Sequence, residues 1–304
     1  MTSTSTPAAG TAAAVRPHPH RPHRRTLARR LVITADDLGL DETTNATIVD
    51  LLRAGQVSAT TLMPVAPAAV DGARRARAAG VEPHLHVTLT SAREFRPWLP
   101  LAADVPSLTD DDGALHRSPA TLERRGTAEE VVREITAQLG WMHRAGLRPA
   151  AMDSHSGTLY GMHGRSFAEE AVRLCAEHGL DLRVPRRLSP VLTATLGPRF
   201  RRAHAEAVVM ADASGVRLPE VMASCWLPGR MLSAYGQLRS AVLAQLRRLP
   251  AGTSELVVHP APPAAARRLR PAEGRKRVWE LRLLRDPRFW NALARERIDV
   301  VPAW

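Results

Sequence analysis

Lysine is almost absent from this chain of 304 residues: Lys276 is the only one among 42 basic side chains. The formal charge of +12 is therefore carried by arginine, a bias that coding composition alone can produce. Half of the excess sits in the first thirty residues, where Arg16, Arg21, Arg24, Arg25, Arg29 and Arg30 meet no acid. The rest is only mildly basic, so nucleic acid is not the expected partner, although net positive charge by itself points to anions. Cysteine is scarce as well. Cys175 and Cys225 stand alone without a CxxC spacing, which excludes a disulfide framework and fits buried thiols in a reducing compartment. Aromatics make up 4% of the chain, with only four Phe and two Tyr, so the six tryptophans are expected in the core first. No apolar run reaches membrane-spanning length, and no hydrophobic segment precedes the first strand, so a cytoplasmic address is expected.

What is present is a core-forming pattern with 44% hydrophobic residues. Residues 1–29, without periodicity, read as a disordered tail; His18, His20 and His23 within it read as solvated rather than metal-binding. From residue 30 onward the pattern alternates. A β-branched strand at Leu31–Thr34 leads to a helix capped by Asp41 and ending at Gly55, then a strand at Val57–Met63. Pro67 opens a helix ending near Gly80, and Glu82–Leu89 is a third strand. Thr90–Arg125 dissolves into prolines and acids and reads as a long loop over the site. Thr127 and Glu130 suggest a capping box for a helix ending near Gly146. A strand at Ala150–Ser154, a helix at Ser166–His178 and a strand at Leu182–Val184 follow. Residues 187–230 are the least legible, with helix suggested only at Arg202–Met210. Helices at Gln237–Leu246, Arg277–Leu284 and Pro287–Arg295 and strands at Glu255–Val258 and Ile298–Val301 complete the chain. This βαβα rhythm implies a parallel sheet or barrel in one α/β domain, residues 30–304.

The chemistry collects at strand ends, where α/β enzymes place their catalytic groups. Asp36 and Asp37 end the first strand before Gly39. A solvated turn pair is the bland alternative, and alternation lets both acids serve one site only if the strand stops there. His84 and His86 share one face of the third strand, His155 follows Asp153, and His259 ends a strand that Pro260 blocks. One carboxylate and two imidazoles make a facial triad with open metal positions. A divalent ion there lowers the pKa of its water and polarises a carbonyl. A second carboxylate can take a proton, and a histidine can return one to the leaving group.

These segments resemble the YdjC-like carbohydrate deacetylases, the ChbG/HpnK family. The matching residues are Thr34-Ala35-Asp36-Asp37-Leu38-Gly39-Leu40, His86-Val87-Thr88-Leu89-Thr90, Asp153-Ser154-His155, and Glu255 with His259-Pro260. Weaker echoes are Arg183, Arg186, Arg277, Glu280 and Leu281. The resemblance implies a distorted (β/α), TIM-like barrel that removes an N-acetyl group from an amino sugar with a divalent metal. By the same resemblance Asp37, His86 and His155 are the metal ligands, Asp36 is the general base and His259 the general acid. The donor set suits zinc, manganese or iron, and the family also allows magnesium.

The sequence departs from the family pattern at Ala151, Ser156 and Gly157, where histidines are usual, and at His84, where glycine is usual. The missing histidines are expected to have lined the sugar pocket. His84 competes with His86 on the same strand face, and only the motif match prefers His86. Arg183, Arg186, Trp98, Trp226 and Trp279 are candidate substrate contacts, the tryptophans by stacking on sugar rings. The expected substrate is an N-acetylated oligosaccharide or a glycolipid headgroup; a homodimer is left open. Competing readings are a hydrolase of another amide or ester, and a catalytically silent carbohydrate-binding barrel.

Overall fold

The computed structural model of the chain describes Met1 and residues 28–304. The tail expected over residues 1–29 lies almost wholly outside the described residues; Arg29 already belongs to the first strand. Among the described residues eight parallel strands form the sheet: β1 (Arg29–Leu38), β2 (Ala59–Leu62), β3 (His84–Val87), β4 (Ala151–Ser154), β5 (Asp181–Leu182), β6 (Met222–Ala223), β7 (Gly252–Val258) and β8 (Ile298–Val300). Their order is β5-β4-β3-β2-β1-β7-β6, with β8 paired to the first residues of β1 below β2. The two outer ends meet. Leu182 N–H donates to Arg217 C=O at 3.1 Å, Arg186 N–H to Pro219 C=O at 2.8 Å and Arg187 N–H to Glu220 C=O at 3.0 Å. These bonds satisfy backbone groups that an open edge would expose. The expected distorted barrel is the result.

Side-chain alternation explains which residues fill it. On β1, Leu31, Ile33 and Ala35 point outward into the core shared with the helices, while Val32 belongs to a separate interior cluster with Ala59, Ala151 and Trp304. The Trp304 indole thus plugs the floor of the barrel. His84 packs edge-on against Trp304, ring centroids 5.2 Å apart. Higher up, the interior positions become polar: Thr34, Thr61, Asp153, Arg183 and Glu255 are all buried.

Most elements fall where the patterning puts them. Asp41 caps the helix Glu42–Arg53, accepting from Thr43 N–H and Thr44 N–H, and Pro287–Arg295 matches at both ends. Both cysteines are buried and free. Three expectations change. Thr127 does cap the helix Ala128–Arg144, but Glu130 does not reciprocate; its carboxylate accepts from Ser107 N–H and Oγ–H at 2.7 Å. The capping box is thereby exchanged for a tie to the preceding loop. That loop, in turn, contains a helix, Pro119–Arg125, begun by Ser118 and a proline at its first turn. Within 187–230 the helix suggested at Arg202–Met210 is the middle of a longer one, Pro198–Ala213, and the structure adds a six-residue helix at Pro190–Thr195 and the two-residue strand β6, both too short to show a period.

The turn after β1 is closely packed. Gly39 has φ +103°, and a Cβ there would meet Met63 C=O at 3.0 Å. Its N–H donates to the buried Asn45 Oδ1 at 2.6 Å. Gly39→Ala is expected to lower stability by about 1–3 kcal/mol, the usual cost of forcing a side chain into such a conformation, as read from urea unfolding.

Candidate active site

Asp36 and Asp37 do not reach one site because the strand ends, as alternation requires; β1 continues to Leu38. Instead the strand bulges. The register runs Thr34↔Ala59, Ala35↔Thr60 and then Leu38↔Leu62, so three residues of β1 advance over two of β2. Asp37 absorbs the extra residue with φ 73°, in the left-handed region. Leu38 consequently joins Leu31, Ile33 and Ala35 in the outer core, and both acids turn to the mouth of the barrel.

Asp37 meets two imidazoles there. Its Oδ1 lies 3.4 Å from His86 Nε2 and 3.4 Å from His155 Nδ1, and those two nitrogens are 3.4 Å from each other. Asp37 Oδ1 is buried and has no hydrogen-bond donor among the described residues. Two donors held about 2.1 Å from one ion at the tetrahedral angle lie about 3.4 Å apart. An oxygen and two nitrogens in an equal triangle, with a buried carboxylate oxygen unpartnered, fit a divalent cation. The other oxygen of Asp37 is taken by Arg277 Nη1 at 2.6 Å. His86 Nδ1 lies 2.7 Å from Asp153 Oδ1, the carboxylate–imidazole arrangement that orients a metal-binding ring. Burial alone would lower the His86 pKa, but Asp153 and Asp36 override it and raise it to about 10. The Trp98 ring lies 6.0 Å from that of His155, centroid to centroid.

His84, the rival ligand, lies outside the triad. It sits two residues deeper on β3 against Trp304, and burial pushes its pKa down to about 4, so the ring is neutral.

Asp36 has a different environment. Arg183 grips it with two bonds, Nη1 to Oδ2 at 2.8 Å and Nη2 to Oδ1 at 3.0 Å, and Thr61 Oγ1–H donates to Oδ1 at 3.0 Å. Burial would raise the Asp36 pKa, but Arg183, His86 and His259 together outweigh it and hold the carboxyl below the usual range. His259 stands opposite, Nε2 at 3.8 Å from Asp36 Oδ2, with its side chain 35% exposed. Its backbone N–H donates to Glu280 Oε2 at 2.9 Å. Burial lowers its pKa, and Asp37 partly restores it.

The other sequence candidates scatter. Arg183 lines the cavity beside Asp36 but is only 2% exposed, and it also pairs with Asp153 Oδ2 and, at 2.9 Å, with Glu255 Oε1. Arg186 faces away from the site and pairs with Asp212 at the surface. Trp226 lines a cavity beside Asp36 and His259. Trp279 does not; Arg275 stacks over its ring 5.3 Å away. Of the positions where family histidines are missing, Ser156 and Gly157 line that cavity, whereas Ala151 lies on the barrel floor beneath it. Arg277 and Glu280 are the residues that sequence reasoning undervalued. They lie three apart on the helix Pro271–Leu284, one turn that reaches both Asp37 and His259. Asp153 also went without a role, although its place between an apolar strand and Ser154-His155 marks it as interior.

A model of the YdjC-like protein family matches residues 30–295. The chain belongs to that family. A carbohydrate deacetylase of Brevibacillus brevis is 33% identical over 160 residues, covering 51% of this chain and 59% of the relative. One of Geobacillus stearothermophilus is 36% identical over 134 residues, covering 42% and 50%. The chain thus spans little more than half the length of the relatives it matches. A proposed cellobiose-phosphate cleavage protein of Enterococcus faecalis has a crystal structure that superposes with TM-score 0.69 at 21% identity, covering 90% of this chain and 97% of that one. That likeness concerns the fold.

One guanidinium therefore serves three buried carboxylates in this family member. Burial raises the Glu255 pKa to about 7 despite Arg183, so the cluster is already short of positive charge. Arg183→Met is expected to cost on the order of 3–5 kcal/mol, as for any broken buried ion pair. Glu255→Gln, which removes surplus negative charge and keeps an acceptor for Thr34 Oγ1–H, is expected to cost far less. Equal losses in thermal melts of the two variants would show that Arg183 acts by filling space.

Proposed function

We propose that this chain is a metal-dependent carbohydrate deacetylase, releasing acetate from an N-acetylated amino sugar. The observation that carries the reading is the triangle of Asp37, His86 and His155, set between an ionised Asp36 and His259. The deacetylase names of the relatives support the substrate class. Asp37, His86 and His155 would hold the ion, and two nitrogen donors favour zinc over magnesium. Such an ion, when bound, activates water and polarises the amide carbonyl.

The remaining work falls to the chain. Asp36 takes the proton of the attacking water; Arg183 and Thr61 keep its carboxylate ionised and aimed. Arg277 occupies Asp37 Oδ2 and leaves Oδ1 to the imidazoles. His259 supplies a proton to the departing nitrogen, since an amine leaves poorly until protonated. Its neighbours suit proton donation. Asp36 and Glu280 flank the ring and favour its protonated form, while burial keeps it ready to give the proton up.

Acetate release from N-acetylglucosamine and its oligomers is expected to require added zinc or magnesium, and chelation should also lower the melting temperature. Asp36→Asn should abolish turnover and leave metal content near one ion per chain, whereas Asp37→Asn should lose both. Elemental analysis showing parallel losses in the two variants would reverse the assignment of the acids.

His259→Ala is expected to slow the N-acetyl substrate by about a hundredfold or more, the scale of general acid catalysis. On an activated aryl acetate, whose phenolate leaves without a proton, the loss should be far smaller. Equal losses on both would make His259 a shaper of the site.

A further inference from the structure

The cavity that opens from Asp36, His86 and His259 has a volume of about 300 Å³. Its far walls come from the illegible stretch of the sequence. The helix Pro198–Ala213 and the residue that follows the helix Pro190–Thr195 present Leu196, Phe200 and Ala207, and Met222 and Trp226 line the cavity as well. The polar side chains in this wall are largely turned away from the space. Ser224 Oγ–H donates to Val257 C=O at 2.9 Å, Tyr160 Oη–H to Arg183 C=O at 2.7 Å, and His204 Nε2 lies 2.6 Å from Pro185 C=O. The bonds of these groups go to backbone; the Trp226 Nε1–H, buried without an acceptor among the described residues, is an exception, and the rest of the far wall is mainly hydrocarbon.

A sugar ring carries hydroxyls around its rim and would lose hydration there without replacement bonds, at a cost for each group. The sugar therefore belongs on the opposite, charged side of the mouth, by Arg277. An acetyl methyl would leave most of the cavity empty, since one water's share of liquid is about 30 Å³, and a dry apolar void forfeits contacts. The cavity begins at the groups that would act on the amide, so the part of a substrate entering it is the part attached to the carbonyl carbon.

We propose that this cavity receives an N-acyl chain longer than acetyl, making the preferred substrate an amino sugar acylated with a short or medium aliphatic acid. This rests on the hydrolytic reading above and narrows its substrate. Water adds to the amide carbonyl, the C–N bond breaks, one proton of the water goes to the departing nitrogen to give the free amine, and the other ionises from the acid to solvent as the carboxylate leaves with the chain.

The test is kcat/KM for N-acetyl-, N-butanoyl- and N-hexanoyl-glucosamine, with octyl N-acetylglucosaminide as the control for a chain on the sugar side. Each methylene buried is expected to raise kcat/KM roughly three- to fourfold, giving about tenfold for butanoyl and about a hundredfold for hexanoyl. Ala207→Phe, which fills the cavity from the helix Pro198–Ala213, should erase that gain and leave N-acetyl turnover unchanged. Phe200→Ser, which removes apolar wall and adds a hydroxyl, should reduce it. Binding of N-hexanoyl-glucosamine to Asp36→Asn, followed by calorimetry, gives a readout independent of turnover; by the same burial it should be at least about tenfold tighter than for N-acetylglucosamine. A flat or falling acyl series, or a gain confined to the octyl glycoside, overturns the proposal while leaving deacetylation intact. Absence of turnover on every substrate, with the chain-length difference in binding preserved, would fault the hydrolytic reading and spare the pocket.

Discussion

A strand in a barrel shows alternate residues to the interior, and two consecutive acids cannot both face inward under that rule. The left-handed conformation of Asp37 is what suspends it. The bulge places Asp36 against Arg183 and Asp37 against the two imidazoles and Arg277, so neighbours in sequence meet different partners a few ångströms apart. The surrounding turn is built to hold this: Gly39 takes a conformation that a side chain would strain, and Asn45 binds its N–H while donating to Ala68 C=O and Asp71 Oδ2. A backbone conformation of this cost persists only where its surroundings over-determine it.

The second dependency is charge. Asp36, Asp37, Asp153, Glu255 and Glu280 are buried at the mouth or just beneath it, against Arg183, Arg277 and Lys276. Carboxylates outnumber the fixed cations in this group, and isolated buried charges are costly. Raised pKa values at His86 and Glu255 are one response, since both bring protons into the cluster. A divalent cation among Asp37, His86 and His155 is the alternative response, since binding it would displace the proton from His86 Nε2, and metal affinity and folding stability would then be linked.

The mouth is also asymmetric. One side carries Arg277 and Glu280, while the other opens into a hydrocarbon-walled cavity. That division suits a molecule with a polar end and an apolar end joined at the reacting bond. Trp98 shows how the long excursion between β3 and β4 contributes: Glu134 accepts from Leu101 and Ala102 N–H, anchoring the loop so that the indole packs near His155.

Strand ends with clustered acids and histidines are visible in one dimension, because strand hydrophobicity, proline and glycine breaks and residue type are local properties. So were the parallel α/β rhythm, the cap at Asp41 and the burial of both cysteines. The choice of His86 over His84 was not, since alternation puts both on one face and only depth in the barrel separates them. Nor could local pattern separate Arg183, which is buried and holds Asp36, from Arg186, three residues on and bound to a surface acid. The same limit hid Arg277 and Glu280, whose value depends on a helix returning across the mouth, and the cavity wall from 190–213. Sequence by itself determined which chemistry the chain carries, because donor types and strand breaks are written locally. Tertiary structure alone decided how that chemistry is divided, because depth, register and the direction of buried charge arise only when distant segments pack.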